Sequence, residues 1–129
     1  MKKIYKTIGI LLVSIIILTP NITALAASKS FTFNITHHIA IGSLTSTKTS
    51  ATGTVNMTNW GTDNYFTIHE YDSSGISVKL MGKMTYSKSS AGSPYSSTVY
   101  GLTKGKKYSY EIWKNQNGKR IQGSGTISY

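Results

Sequence analysis

Apolar and polar side chains alternate in the stretch FTFNITHHIAI, which covers residues 31–41. The odd-numbered positions of its first half are apolar and the even-numbered positions are polar. Successive side chains of a β-strand point to opposite faces, so a period of two predicts a strand with one buried and one exposed face. The adjacent residues His37 and His38 leave two interpretations open, one long strand or a strand that is bent or split at that point.

The same period of two recurs to the end of the chain, and no stretch keeps the period near 3.6 that an amphipathic helix requires. Gly, Ser, Asn and Asp punctuate it at short intervals. The predicted strands lie within residues 31–41, 55–57, 65–71, 76–86, 98–100, 108–112 and 121–129. About seven short strands with regular turn signals predict an all-β fold, an antiparallel β-sandwich.

Turn and loop signals complete this prediction. Asp72-Ser73-Ser74-Gly75 is typical of a hairpin turn, and the pair Asn117-Gly118 predicts a tight hairpin between the last two strands. Residues 42–52 and 87–96 lack periodic apolar positions, so both are expected to be surface loops. Residues 65–71 are apolar at both parities, which predicts a central strand.

The segment LTKGKKY, residues 102–108, resembles the tyrosine-corner segment of fibronectin type III and related immunoglobulin-like domains. The resemblance implies three structural roles. The Tyr108 hydroxyl would bond back to the backbone, Gly105 would form the turn, and Leu102 would enter the core. It covers seven residues and implies an architecture, not a function.

The first 26 residues have the pattern of a secretory signal peptide. Lys2, Lys3 and Lys6 form a basic start, and an uncharged, mostly aliphatic run follows over residues 8–18, which is shorter than the roughly 20 residues of a membrane span. The small residues Ala24 and Ala26 then predict cleavage before residue 27, with residue 28 as the next choice. The alternatives are an uncleaved membrane anchor or a buried helix. We therefore expect residues 27–129 to form one exported domain, extracellular or associated with the cell wall.

Charge and cysteine content narrow the class of protein. The chain has 14 Lys and Arg against 4 Asp and Glu; three lysines belong to the signal, so the mature charge is 11 − 4 = +7. The chain has no cysteine, so packing alone must stabilise the fold, a composition typical of bacterial secreted proteins. Positive charge favours an anionic surface polymer, acidic lipid contacted peripherally, or an acidic protein. Nucleic acid is not expected, because no recognition motif is present.

Catalytic chemistry is not predicted. The mature chain offers four carboxylates and three histidines, and no serine lies in a nucleophile elbow. His37 and His38 are expected to point to opposite faces of a strand, so neither a metal site nor any other cofactor is predicted.

The predicted binding residues are basic or aromatic and lie near two turns of the last strands. Trp113 has the opposite parity to Tyr108 and Tyr110, so it is expected to lie outside the core, either as a contact residue or as cover for a neighbouring strand. The set consists of Lys104, Lys106, Lys107, Trp113, Lys114, Lys119 and Arg120. The sequence thus predicts a non-enzymatic binding domain for an anionic surface or acidic protein, and the alternative is a cationic antimicrobial or toxin-like protein that acts on cell envelopes. The oligomeric state does not follow from the sequence.

Overall fold

Eight β-strands form the regular structure of residues 27–129, the part of the chain that this computed structural model describes. They are β1 (Ser28–Ile35), β2 (His38–Thr45), β3 (Ser50–Asn59), β4 (Tyr65–Asp72), β5 (Lys79–Ser87), β6 (Tyr95–Tyr100), β7 (Lys107–Trp113) and β8 (Ile121–Ser128). The all-β prediction is confirmed for these residues. The predicted signal peptide, residues 1–26, lies outside the described residues.

The strands form two antiparallel sheets of four strands each. The first sheet has the order β1-β8-β3-β6, and the second has the order β2-β7-β4-β5. Side chains from the inner faces of both sheets make one apolar core, in which the ring centroids of Phe33 on β1 and Phe66 on β4 lie 5.7 Å apart. The sheets therefore pack face to face, an arrangement compatible with a β-sandwich.

The strand count exceeds the predicted seven because residues 31–41 are divided. β1 ends at Ile35 in the first sheet, and β2 begins at His38 in the second. The backbone carbonyl of His37 accepts a hydrogen bond of 2.9 Å from the Lys114 N–H, which holds the crossing point. Of the two interpretations that the sequence left open, the split strand is correct.

The predicted hairpin of the last two strands is wrong. β7 lies in the second sheet and β8 in the first, so residues 114–120 carry the chain from one sheet to the other. Gly118 has a positive φ of 73°, as the Asn-Gly signal suggested, but the turn belongs to this crossing. The strand order thereby departs from immunoglobulin-like domains, in which the last two strands lie in the same sheet.

Three further boundaries differ from the predictions. The expected loop at residues 42–52 contains the end of β2 and the start of β3, and β6 begins within the expected loop at residues 87–96. The fourth predicted strand starts at Lys79 rather than residue 76, because its pairing with β4 begins where Lys79 faces Asp72, the last residue of β4. The hairpin of β4 and β5 and the central position of β4 are confirmed.

A buried polar cluster fixes the C-terminal residue. The Tyr110 hydroxyl donates to the carboxylate of Glu70, and the Tyr129 hydroxyl lies beside it and donates to the carbonyl of Leu44 at 3.3 Å. Burial raises the pKa of the Glu70 carboxyl, and the bond from Tyr110 opposes that rise. Burial also raises the pKa of Tyr129, to about 12. The last strand is thus attached to β2 across the core.

The segment from β6 to β7 has the contacts that the resemblance implies. The Tyr108 hydroxyl accepts a hydrogen bond of 2.9 Å from the backbone N–H of Thr103. Gly105 has a φ of 83°, in the left-handed region that favours glycine, and Leu102 is buried.

Replacement of Tyr108 by phenylalanine is expected to lower the free energy of unfolding by about 1 kcal/mol, because the bond to Thr103 is lost while the ring stays packed. Urea unfolding measures the difference. The exposed Tyr100 supplies the matched control, since Tyr100→Phe removes a hydroxyl from the surface. Equal stability of the two variants would contradict a stabilising role for the corner bond.

Candidate functional site

Five lysines lie in or directly beside the connections at one end of the two sheets, here called the lysine end. They are Lys48 in the β2–β3 connection, Lys79 at the start of β5, and Lys104, Lys106 and Lys107 around the β6–β7 turn. β4 ends at this point, and its last residue Asp72 is paired with Lys79 in the sheet. The strand directions therefore bring together cations that lie up to 59 positions apart in the sequence, from Lys48 to Lys107 (107 − 48 = 59).

Backbone hydrogen bonds hold these connections against one another. The Ser46 N–H donates to the carbonyl of Lys106 at 2.8 Å, and the Gly105 N–H donates to the carbonyl of Ser46 at 2.8 Å. The Ser73 N–H donates to the carbonyl of Lys107 at 3.4 Å. The three connections consequently form one continuous surface rather than three independent loops.

One acidic side chain lies within this surface. The ammonium of Lys106 is 2.8 Å from the carboxylate of Asp72. Hydrogen bonds from Lys106 and then Ser74 hold the pKa of Asp72 well below its usual range, and the same pair raises the pKa of Lys106. Both groups stay charged at neutral pH, so the lysine end keeps a net charge of 5 − 1 = +4 from these residues.

The β4–β5 connection presents aliphatic side chains beside those lysines. Ile76 is fully exposed, Val78 is 66% exposed, and Lys79 follows directly. The sequence prediction placed both aliphatic residues in a strand within residues 76–86, and that placement is wrong because β5 begins only at Lys79. Single exposed apolar residues are common, but two at the tip of one connection among lysines form a distinct surface.

The other predicted binding residues lie at the opposite end. β7 runs from Lys107 to Trp113, and seven residues of strand span roughly 20 Å. Lys119 and Arg120 are exposed in the crossing that follows. The structure therefore divides the predicted set into two groups and does not bring them together.

Lys114 was expected on the surface, and that placement is wrong. Its side chain is fully buried, and its ammonium lies 3.0 Å from the carboxylate of Asp63. The ammonium also donates to the side chain of Asn117 at 2.8 Å and to three backbone carbonyls, those of Thr36, Asn115 and Lys119. Lys114 thus organises the crossing between the sheets.

Trp113 lies on the outer face of the second sheet, on the side opposite the core as its parity predicts. Its indole is stacked between the imidazoles of His38, at 4.4 Å, and His69, at 5.5 Å. Its Nε1–H donates to the carboxylate of Glu111 at 2.9 Å. Trp113 therefore covers the neighbouring strands β2 and β4.

Two of the three histidines, His37 and His38, lie closer together than expected. His37 precedes β2 rather than lying within it, so its Nδ1 is 3.1 Å from the Nδ1 of His38 instead of facing away. Burial lowers the pKa of His69, Lys83 lowers it further, and Glu111 opposes both effects. Within residues 27–129 there is no group of three or more side chains suited to hold a metal ion.

Each of the four carboxylates in the described residues has a partner. Asp63 pairs with Lys114 and Asp72 with Lys106, while Glu70 accepts from Tyr110 and Glu111 from Trp113. Each of these carboxylates is therefore held in place by an ion pair or a hydrogen bond.

Residues 27–129 include no helix that is long and apolar enough to cross a membrane. No protein-family model matches the chain, and comparisons with curated proteins and with solved structures found no match. Its function must therefore be inferred from its own surfaces.

Proposed function

We propose that this chain is a secreted, non-enzymatic binding domain whose lysine end docks on an anionic lipid surface. One observation carries the proposal: Ile76 and Val78 are exposed in the β4–β5 connection, which Lys79 follows directly and which the Lys106–Asp72 ion pair and the hydrogen bond from Ser73 to Lys107 join to the lysine-rich β6–β7 turn. Lysines attract anionic headgroups, and aliphatic side chains gain free energy when they leave water for the acyl region. An acidic protein or a wall polymer would need the charge but would not need an aliphatic tip.

The position of Ala27 is consistent with docking through the lysine end. Its carbonyl accepts a hydrogen bond of 3.0 Å from the Tyr129 N–H, and Ser28 is paired with Ser128 at the lysine end. The exported domain therefore begins at the end that we propose faces the membrane. An uncleaved N-terminal anchor, the alternative left by the sequence, would direct the same end toward the lipid.

Replacement of both aliphatic residues by serine, Ile76→Ser with Val78→Ser, is expected to weaken binding to anionic vesicles about tenfold or more. Partial burial of two aliphatic side chains contributes on the order of 1.5 kcal/mol or more, and 1.4 kcal/mol corresponds to a factor of ten. Sedimentation with vesicles of phosphatidylglycerol and phosphatidylcholine measures the change. Fold stability should be unaffected, because both side chains are exposed.

The matched control is Ile39→Ser, which removes another exposed aliphatic residue from β2, near Trp113 and away from the lysine end. Vesicles of phosphatidylcholine alone should bind weakly. Binding that is sensitive to salt but indifferent to the serine variant would overturn the lipid assignment and favour an anionic polymer or acidic protein. Release of an entrapped dye from the anionic vesicles would instead support the toxin-like alternative.

A further inference from the structure

The outer face of the first sheet has a different composition from the rest of the molecule. Along each of its strands, buried residues alternate with outward residues that are uncharged and polar. The outward set comprises Ser28, Ser30, Thr32 and Asn34 on β1, Gln122, Ser124, Thr126 and Ser128 on β8, Ser50, Thr52, Thr54, Asn56 and Thr58 on β3, and Ser96, Thr98 and Tyr100 on β6. None of these outward positions carries a charge, in a described chain with a net charge of +7.

A shallow trough runs along β8 on this face. It consists of two adjoining hollows of about 460 and 390 Å³, and Thr32 and Ser124 line both of them. β8 is paired with β1 on one side and β3 on the other, so the flanking strands lie roughly 10 Å apart. Ser124 is the outward residue at the centre of the trough, and its neighbours Gly123 and Gly125 have the inward parity, where Phe33 and Phe31 fill the space beside them.

The polar groups of this β8 trough are largely free to bind a ligand. The side chains of Thr32, Asn56, Gln122 and Ser124 make no hydrogen bond to another residue in the described part of the chain. Hydroxyl and amide groups each supply both donors and acceptors. An apolar ligand would remove them from water without partners, at a cost for each group, and a polyanion would find no cation within the trough.

We propose that the β8 trough binds a neutral oligosaccharide chain. Such a chain presents hydroxyl and amide groups and apolar C–H faces along its length and no charge, which matches a lining that combines Ser, Thr, Asn and Gln with the apolar residues Phe31, Phe33 and Ile39. Arg120 lies at the far end, where its guanidinium donates to the Asn34 side chain at 3.3 Å.

This site is separate from the lysine end. β8 runs from Ile121, beside the crossing from the second sheet, to Ser128 at the lysine end, and the trough opens sideways along its length. A domain docked by its lysine end would keep this face accessible. Lipid docking and oligosaccharide binding are therefore assigned to different residues, so an experiment can disprove one proposal without affecting the other.

The test uses the mature protein with soluble chito-oligosaccharides and cello-oligosaccharides as probes, followed by isothermal titration calorimetry and by amide chemical shifts. Binding to at least one probe is expected, together with shift changes centred on β8 and little dependence on salt. Ser124→Lys places a long charged side chain in the trough and is expected to weaken binding at least tenfold. The control Ser96→Lys adds the same charge on β6, outside the trough, and is expected to leave binding unchanged.

Absence of binding to both probes, or binding that survives Ser124→Lys, would overturn the proposal. Self-association that is abolished by Ser124→Lys, with no oligosaccharide bound, would assign this face to a second copy of the chain and would also overturn it. The Ile76→Ser, Val78→Ser double variant should bind the oligosaccharides normally, which distinguishes failure at the trough from failure at the lysine end.

Discussion

Replacement of Lys114 by methionine is expected to lower the free energy of unfolding by about 3–5 kcal/mol, the usual cost of leaving one member of a buried ion pair without its partner. The Asp63 carboxylate would remain in the interior with the Asn117 side chain, at 3.0 Å, as its remaining hydrogen-bond donor. Native domains are stable by only about 5–15 kcal/mol, so this change removes a large share of the total.

Loss of the Lys114 ammonium is also expected to destabilise the crossing between the sheets. The Lys114 side chain is fully buried, so its ammonium makes no hydrogen bond to solvent. It donates instead to carbonyls on both sides of the crossing, those of Thr36 and Lys119. Removal of the ammonium leaves these carbonyls without a donor, and each buried unpaired group adds its own desolvation cost. The segment from Lys114 to Lys119 is therefore expected to lose protection from amide hydrogen exchange as well.

Urea unfolding followed by fluorescence measures the effect, and Lys119→Met is the matched control. Lys119 lies in the same crossing, but its side chain is exposed, so its replacement should change stability by no more than about 0.5 kcal/mol. Asp63→Leu combined with Lys114→Met should recover part of the loss, since two apolar residues can replace a buried pair. Equal stabilities of Lys114→Met and Lys119→Met would show that the buried pair does not stabilise the fold.

The same residue explains why the fold could be predicted only in part. Alternation of apolar and polar residues correctly indicated an all-β fold, because strand parity is a local property. The sheet to which each strand belongs is not local. Asn117-Gly118 has the composition of a hairpin turn, but the turn belongs to a crossing between the sheets. The buried Lys114 that stabilises this crossing looks in the sequence like any surface lysine.

The candidate sites were also predictable to different degrees, because some of their residues are neighbours in the sequence and others are brought together only by the strand order. Lys104, Lys106 and Lys107 are neighbours in the sequence, so their cluster was found. Lys48 and Lys79 join them only through the strand order. The exposure of Ile76 follows from the end of β4–β5 pairing at Asp72 and Lys79, which no periodicity reveals. The uncharged face required the pairing of β8 with both β1 and β3, although the polar parity of each strand was visible in the sequence.

Simultaneous replacement of Lys79, Lys104 and Lys107 by glutamine is expected to weaken binding to anionic vesicles about a hundredfold at low salt. Each lysine close to an anionic membrane contributes about 1 kcal/mol, and three of them correspond to roughly two factors of ten. Lys106 is kept in this variant, because its ion pair with Asp72 holds the β4–β5 connection against the β6–β7 turn. Screening by salt should reduce the difference between the variant and the wild type.

A second triple variant separates the position of the charges from their number. Lys83, Lys88 and Lys119 lie away from the lysine end, on β5, in the β5–β6 connection and in the crossing, and their replacement by glutamine changes the net charge by the same amount. If the lysine end is the docking surface, this variant keeps most of the vesicle binding, because a charge more than a Debye length of about 10 Å from the lipid is screened at moderate salt. Equal losses in the two triple variants would mean that net charge alone attracts the protein, and the lysine end would then have no special role.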